Sequence, residues 1–176
     1  ARKLGAEFYH NSQGGLSLFD KTGYFYGPDH LTGLEKTYNK LSYVPYSPLG
    51  LTDWDFRRYT PDIVIFAIGQ NDANPNPKAI YDVEYAKKWK EKYKEILLEL
   101  KERYNSPKFI LITTVLEHEK IWDERIEEIR AELNSSDVYH YLFTRNGAAT
   151  PGHPRVTEQN EMAHELEKFI RENILR

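Results

Sequence analysis

The sequence predicts an α/β fold of three layers, αβα, with helices on both faces of a mostly parallel sheet. Two observations carry this. Short apolar segments recur along the chain, and amphipathic helical patterns lie between them. The segment 62–68, Asp-Ile-Val-Ile-Phe-Ala-Ile, is nearly all apolar and rich in β-branched residues, as a strand buried on both faces should be.

The elements follow in order. Residues 1–5, Ala-Arg-Lys-Leu-Gly, read as the last turn of a helix, with basic residues near its end and Gly5 in the left-handed cap. Glu7 to Asn11 reads as a strand. Residues 20–60 are irregular and tyrosine-rich, punctuated by Gly23, Gly27, Pro28, Gly33, Pro45, Pro48 and Gly50, with one helix expected over Leu34 to Leu41. A connection this long inside a compact domain is usually functional. Ala86, Trp89, Tyr93, Ile96, Leu97, Leu100 and Tyr104 recur at helical spacing; so do Ile121, Trp122, Ile126, Ile129 and Leu133, and Met162, Leu166, Phe169, Ile170 and Ile174. Strands at 108–114 and 138–143 complete the alternation. No repeat or linker divides the chain, so 1–176 reads as one domain.

Composition narrows the function. The 176 residues suffice for one core, and a net charge of −3 implies no strong pull toward nucleic acid or an anionic membrane. No apolar run is long enough to span a bilayer. The absence of cysteine excludes disulfides, thiolate metal sites and a cysteine nucleophile, and leaves the compartment open. No cofactor is implied: there is neither Gly-x-Gly-x-x-Gly nor a phosphate-loop lysine, and Glu117-His118-Glu119 lacks the His-x-x-x-His metal spacing. The 13 tyrosines and three tryptophans are the kind of side chain that lines carbohydrate or peptide clefts, as well as filling cores.

Ligands of open α/β sheets bind at the carboxyl ends of the strands. After the strand at 62–68 comes Gly69-Gln70-Asn71-Asp72. Glycine permits a sharp turn, Asn71 can aim an amide N–H into a cleft, and Asp72 can accept backbone N–H groups; the plainer reading is an Asn-Asp turn. After the last strand comes Thr150-Pro151-Gly152-His153-Pro154. A histidine in a stiff turn suits a general base, against the plainer reading of a loop histidine. His118 follows the strand at 108–114 and is within reach of the cleft mouth. His164 lies beside the apolar face of the last helix and reads as structural. His10, His30 and His140 have no comparable setting.

Taken in order, these motifs resemble the SGNH hydrolases, also called GDSL esterases and lipases. Gly69-Gln70-Asn71-Asp72 is similar to their Gly-x-Asn-Asp motif and His153-Pro154 to their His-Pro motif. Trp54 to Asp62 and Asn11-Ser12-Gln13-Gly14-Gly15-Leu16 resemble segments of carbohydrate esterase family 2 and its bacterial relatives. The resemblance implies a flavodoxin-like sheet and serine acyl transfer. Carried over by position, His153 is the base, and Asn71 and Gly14 are oxyanion donors; Gly15 fits nearly as well as Gly14. It implies an esterase acting on small esters or acetylated carbohydrate, with no nucleic-acid or membrane partner. The alternative is a carbohydrate-binding or interaction module that kept the fold without the chemistry.

Two departures stand out. The family usually has an aspartate two or three residues before the histidine, where this chain has Pro151 and Thr150. The Gly-Asp-Ser motif, which bears the nucleophile on the family's first strand, is absent. Gly15-Leu16-Ser17-Leu18 is only superficially like it: leucine replaces the aspartate, and no strand would then remain to supply a glycine donor before Gly69. Ser17 is therefore disfavoured as nucleophile, and Ser12 is expected to cap the turn. The chain is expected to be an N-terminally incomplete domain whose serine comes from a missing segment of the same protein. Strands 7–11 and 62–68 should then not pair directly, because a central strand belongs between them.

Overall fold

A computed structural model describes residues 1–25, 32–42, 52–150 and 152–175. Gly27, Pro28, His30, Pro45, Pro48, Gly50 and Pro151 lie outside them. Among the described residues the strands are β1 (Lys40–Ser42), β2 (Thr52–Asp53), β3 (Ile63–Ala67), β4 (Lys108–Ile112) and β5 (Val138–His140). The α-helices are α1 (Leu34–Thr37), α2 (Val83–Arg103), α3 (Ile121–Leu133) and α4 (Val156–Asn173).

β3, β4 and β5 form a parallel sheet in that order, with Ile65 opposite Ile110 and Ile110 opposite Tyr139. Its residues alternate between two cores, as the period of two in a strand requires. Phe66, Phe109 and Leu111 face α2 and α3, where Trp89, Tyr93, Ile126 and Ile129 are fully buried. Ile110 and Ile112 face α4, against Leu166, Phe169 and Ile170. This is the expected three-layer α/β arrangement. On the first face Phe66 and Trp89 flank Tyr93 at centroid distances of 4.7 and 5.1 Å, and Trp122 meets Trp89 edge-on at 5.5 Å. Lys90 of α2 donates to Glu128 and Glu132 of α3, each at 2.8 Å, tying the two helices at the surface.

Three long helices coincide with the apolar periodicities, and Asp82 caps α2 by accepting Tyr85 N–H at 2.8 Å. Residues 1–5 form a short 3₁₀ turn, Arg2–Leu4, closed by Gly5 in the left-handed region.

Three expectations need correction. The helix expected over 34–41 ends at Thr37, because Lys40 and Ser42 enter an antiparallel ladder with Asp53 and Thr52, and Asn39 O accepts Trp54 N–H at 2.9 Å. Residues 7–11 form no ladder with any described strand. They run exposed over the surface, held by Tyr9 against Trp54 and Tyr59 at 4.8 and 5.4 Å. β3, read as buried on both faces, pairs only with β4 among the described residues, and Ile65 stays 46% exposed. Residues 7–11 and β3 do not pair directly.

Leu111 contacts the α2 and α3 core with no exposed surface. Leu111→Ala should cost about 3 kcal/mol in a urea titration, whereas Leu98→Ala, at a half-exposed position, should cost less than about 0.5 kcal/mol.

Candidate active site

A cleft of about 560 Å³ opens beyond the carboxyl ends of β3 and β4. Gly15, Tyr24, Asn71, Glu117, His118 and His153 are on its wall, drawn from four separate stretches of chain. That is where the topology of a parallel sheet places ligands.

The turn after β3 begins at Gly69, whose φ of +145° is open to glycine but not to side-chain-bearing residues, and continues as the 3₁₀ turn Gln70–Ala73. Asn71 is buried, and its Nδ2 donates to Leu16 O at 2.9 Å. Asp72, fully buried, reaches out of its own turn. Its Oδ1 accepts Leu18 N–H at 2.9 Å and the Trp89 indole N–H at 3.0 Å, while Oδ2 has no partner. The sequence suggested that Asp72 tie its own turn; the bonds run instead to a loop 54 residues away and to the core of α2. Burial is the dominant influence on this carboxyl, and it outweighs the Leu18 and Trp89 hydrogen bonds to push the pKa up to about 7.

The glycine loop is held by these contacts and by its own apolar anchors, Leu16, Leu18 and Phe25, all in the core. Asn74 adds two more: its O accepts Gly23 N–H at 2.9 Å, and its Nδ2 donates to Gly23 O. Of the glycine pair, Gly15 is on the cleft wall, while Gly14 is exposed at the turn and a Cβ there would meet nothing. Gly15 has φ +79°, and a Cβ would stand 2.9 Å from Tyr24 Cβ. Its O accepts Tyr24 N–H at 2.8 Å, which leaves the Tyr24 ring exposed beside it.

Ser17 is fully buried and faces away from chemistry. Its hydroxyl donates to Phe19 O at 3.0 Å and accepts from Thr22 at 2.8 Å. Ser12 is exposed, and its hydroxyl caps nothing among the described residues.

His153 is exposed on the cleft wall. Its backbone pairs with Ala149 in both directions, N–H to O at 3.1 Å and O from N–H at 2.9 Å. This hairpin is braced against the segment after β4: Gly147 N–H donates to Val115 O and Glu117 N–H to Gly152 O, each at 2.9 Å. Glu117 Cβ would stand 3.0 Å from a Cβ placed at Gly152. Thr150, one of the two positions where the family has aspartate, is exposed.

His118 does reach the cleft. Its side chain is almost wholly buried, Nδ1 donating to Leu116 O at 2.6 Å and Nε2 facing Asp123 Oδ1 at 3.1 Å. Burial opposes charging this imidazole, but Asp123 and the carbonyl outweigh it and the pKa is raised; Thr113 also donates to Asp123. His118 thus pins the segment that braces His153 to the first turn of α3. His164, read as structural, is instead 70% exposed on α4.

Trp89 and Asp123 were invisible as site residues. Trp89 read as core, although a buried indole N–H needs an acceptor, which was the available signal. Asp123 lies in a helix whose polar residues all look alike in sequence.

No protein-family model and no curated protein matches this sequence. Solved structures do. An acetyl xylan esterase from the rumen bacterium Butyrivibrio proteoclasticus is similar at 17% identity over 97% of this chain and 53% of that one, with a TM-score of 0.74. A family two carbohydrate esterase from Cellvibrio japonicus matches at 23% identity, over 90% of this chain and 45% of that one, with a TM-score of 0.71. A family two carbohydrate esterase from Clostridium thermocellum, in complex with cellohexaose, matches at 20% identity, over 90% and 47%, with a TM-score of 0.69. The chain therefore shares the fold of the family two carbohydrate esterases, the group its motifs resemble, and spans about half the length of these structures.

Asp72 sets a pH dependence whose sign follows from its raised pKa. The folded state holds this proton up to about pH 7, while an unfolded chain releases it near 3.8. The stabilisation is complete below the lower value and lost as pH rises through the upper. Asp72→Asn should therefore gain on the parent by up to about 1.4 kcal/mol per pH unit across that window, measured by urea denaturation at each pH.

Proposed function

We propose that this chain forms most of a serine esterase domain that removes small acyl groups, foremost acetyl, from carbohydrate. One observation carries the reading: a single cleft brings together Asn71, Gly15 and His153, which lie far apart in sequence. These are the donor and base types that acyl transfer requires. The likeness to solved carbohydrate esterases supports the substrate class.

In this mechanism a serine hydroxyl attacks the ester carbonyl carbon while His153 takes its proton. The carbonyl oxygen becomes an oxyanion and accepts the free Asn71 N–H together with a glycine N–H. His153 then returns the proton to the leaving alcohol, and water repeats the sequence on the acyl-enzyme. The exposed placement of Gly14 makes Gly15 the better glycine donor. No serine, threonine or cysteine is on the described cleft wall. We place the nucleophile on a segment outside these 176 residues, seated along the edge of β3 that pairs with no described strand, where Ile65 is exposed. With no aspartate before His153, the pair works as a Ser-His dyad. Tyr24, more than half exposed on the cleft wall, offers a flat apolar face for the sugar beside the acyl group.

A second reading is a carbohydrate-binding module that lost catalysis. The wall without a nucleophile favours it, and one structural neighbour is a carbohydrate esterase whose active site displays divergent catalytic and non-catalytic binding functions.

Assays of the intact protein on p-nitrophenyl acetate and acetylated xylan separate the two. Under the esterase reading, His153→Ala lowers kcat by roughly 10²–10⁴ and Asn71→Ala by roughly 10²–10³. Equal rates for His153→Ala and parent would sink it. Glycan binding without turnover by the parent would establish the module instead.

A further inference from the structure

Asn71 has two amide hydrogens, and its value as a donor depends on where the second one points. Its neighbours decide this. The Leu16 carbonyl can only accept, so the Asn71 nitrogen must face it, at 2.9 Å. Asn71 Oδ1 therefore turns the other way, where Gln70 Nε2 donates to it at 2.7 Å. Gln70, its nitrogen so committed, presents Oε1 to Thr114, whose hydroxyl donates at 2.6 Å. The Thr114 oxygen is approached by Leu116 N–H at 3.4 Å, which leaves its own hydrogen for Gln70. The chain has one direction, from the backbone after β4 to the backbone of the glycine loop. Exchanging oxygen and nitrogen in Asn71 would set acceptor against acceptor and donor against donor, and exchanging them in Gln70 would set its oxygen against Asn71 Oδ1.

We propose that Gln70 and Thr114 are positioning residues that hold the Asn71 carboxamide, so that one N–H is spent on Leu16 and the other is presented to the oxyanion. This rests on the acyl-transfer reading above. An oxyanion donor acts only if it is aimed before the charge develops, and an error of about 1 Å can cost roughly 10²-fold. An asparagine has a freely turning χ2, so burial alone would leave two amide orientations open. Gln70 removes the wrong one. Its donation into Asn71 Oδ1 also draws charge from the amide and strengthens the remaining N–H as a donor. The relay joins the ends of neighbouring parallel strands, β3 through Gln70 and β4 through Thr114, so the sheet itself sets its length.

The test uses the intact protein with Gln70→Met, which keeps length but loses the amide, Thr114→Val, which keeps shape but loses the hydroxyl, and Thr114→Ser, which retains the hydroxyl. Turnover of p-nitrophenyl acetate is measured beside the ¹⁵N NMR signals of the Asn71 side chain. The expected result is a roughly tenfold fall in kcat for Met and Val, smaller than the 10²–10³ for deleting a donor, with KM unchanged. Thr114→Ser should restore the parent kcat, and the Asn71 signals should move only in the Met and Val variants. Unchanged kcat with unmoved Asn71 signals overturns the relay, as does a loss confined to KM or shared by Thr114→Ser. If the parent turns over no ester, the acyl-transfer reading fails by itself; the Asn71 signals then decide whether the relay positions the amide. Should Gln70→Met fail to fold, Thr114→Val carries the same comparison.

Discussion

The buried carboxyl of Asp72 is the point on which the site depends. It stands at the carboxyl end of β3 and receives an N–H from the glycine loop and one from the α2 core. Burying a carboxyl is costly and each hydrogen bond offsets part of the cost, so both donors are held to its Oδ1. Because Asn71 is its neighbour, docking Asp72 also places the Asn71 amide against Leu16. The loop carrying Gly15 and the turn carrying Asn71 thus take up one fixed relation. Sheet geometry and loop geometry meet in a single residue.

The proposed base is held by a different principle. His153 stands on a hairpin that backbone hydrogen bonds tie to the segment after β4. That segment is in turn pinned by His118 to Asp123 and the Leu116 carbonyl. His118 reads in the sequence as a second candidate for chemistry at the cleft mouth. Both of its ring nitrogens face acceptors, so it is engaged in structure rather than available as a base. In the proposed mechanism His153 moves the proton, while His118 fixes the frame around it.

The edge of β3 that pairs with no described strand is the other constraint. A parallel strand with one partner leaves backbone groups unpaired along its far side, and burial of apolar side chains falls off there. The gradient is visible in the sheet: four of the five β4 residues are buried, whereas β3 buries only Phe66. The exposed aromatic residues at 8 and 9 belong to the segment that the sequence assigned to a strand beyond a central one, not next to β3. A strand requires a second backbone to pair with, so a local pattern alone cannot make one.

The sequence by itself determined what is local or periodic. The apolar spacing specified α2, α3 and α4, the β-branched runs specified β3 and β4, and the order of motifs pointed to Asn71 and His153 as site residues. Only the tertiary structure decided which glycine faces the cleft, that Ser17 is buried on Phe19 O, that Asp72 reaches Leu18 and Trp89, and that His118 is tied to Asp123. The physical reason is the same in each case. Periodicity records which face of an element is apolar, whereas these contacts form between loops whose meeting is set by how the layers pack. The Asp72 partners lie 17 and 54 residues away, and even where a partner is near, as for Ser17 and His118, periodicity does not record which side chains meet.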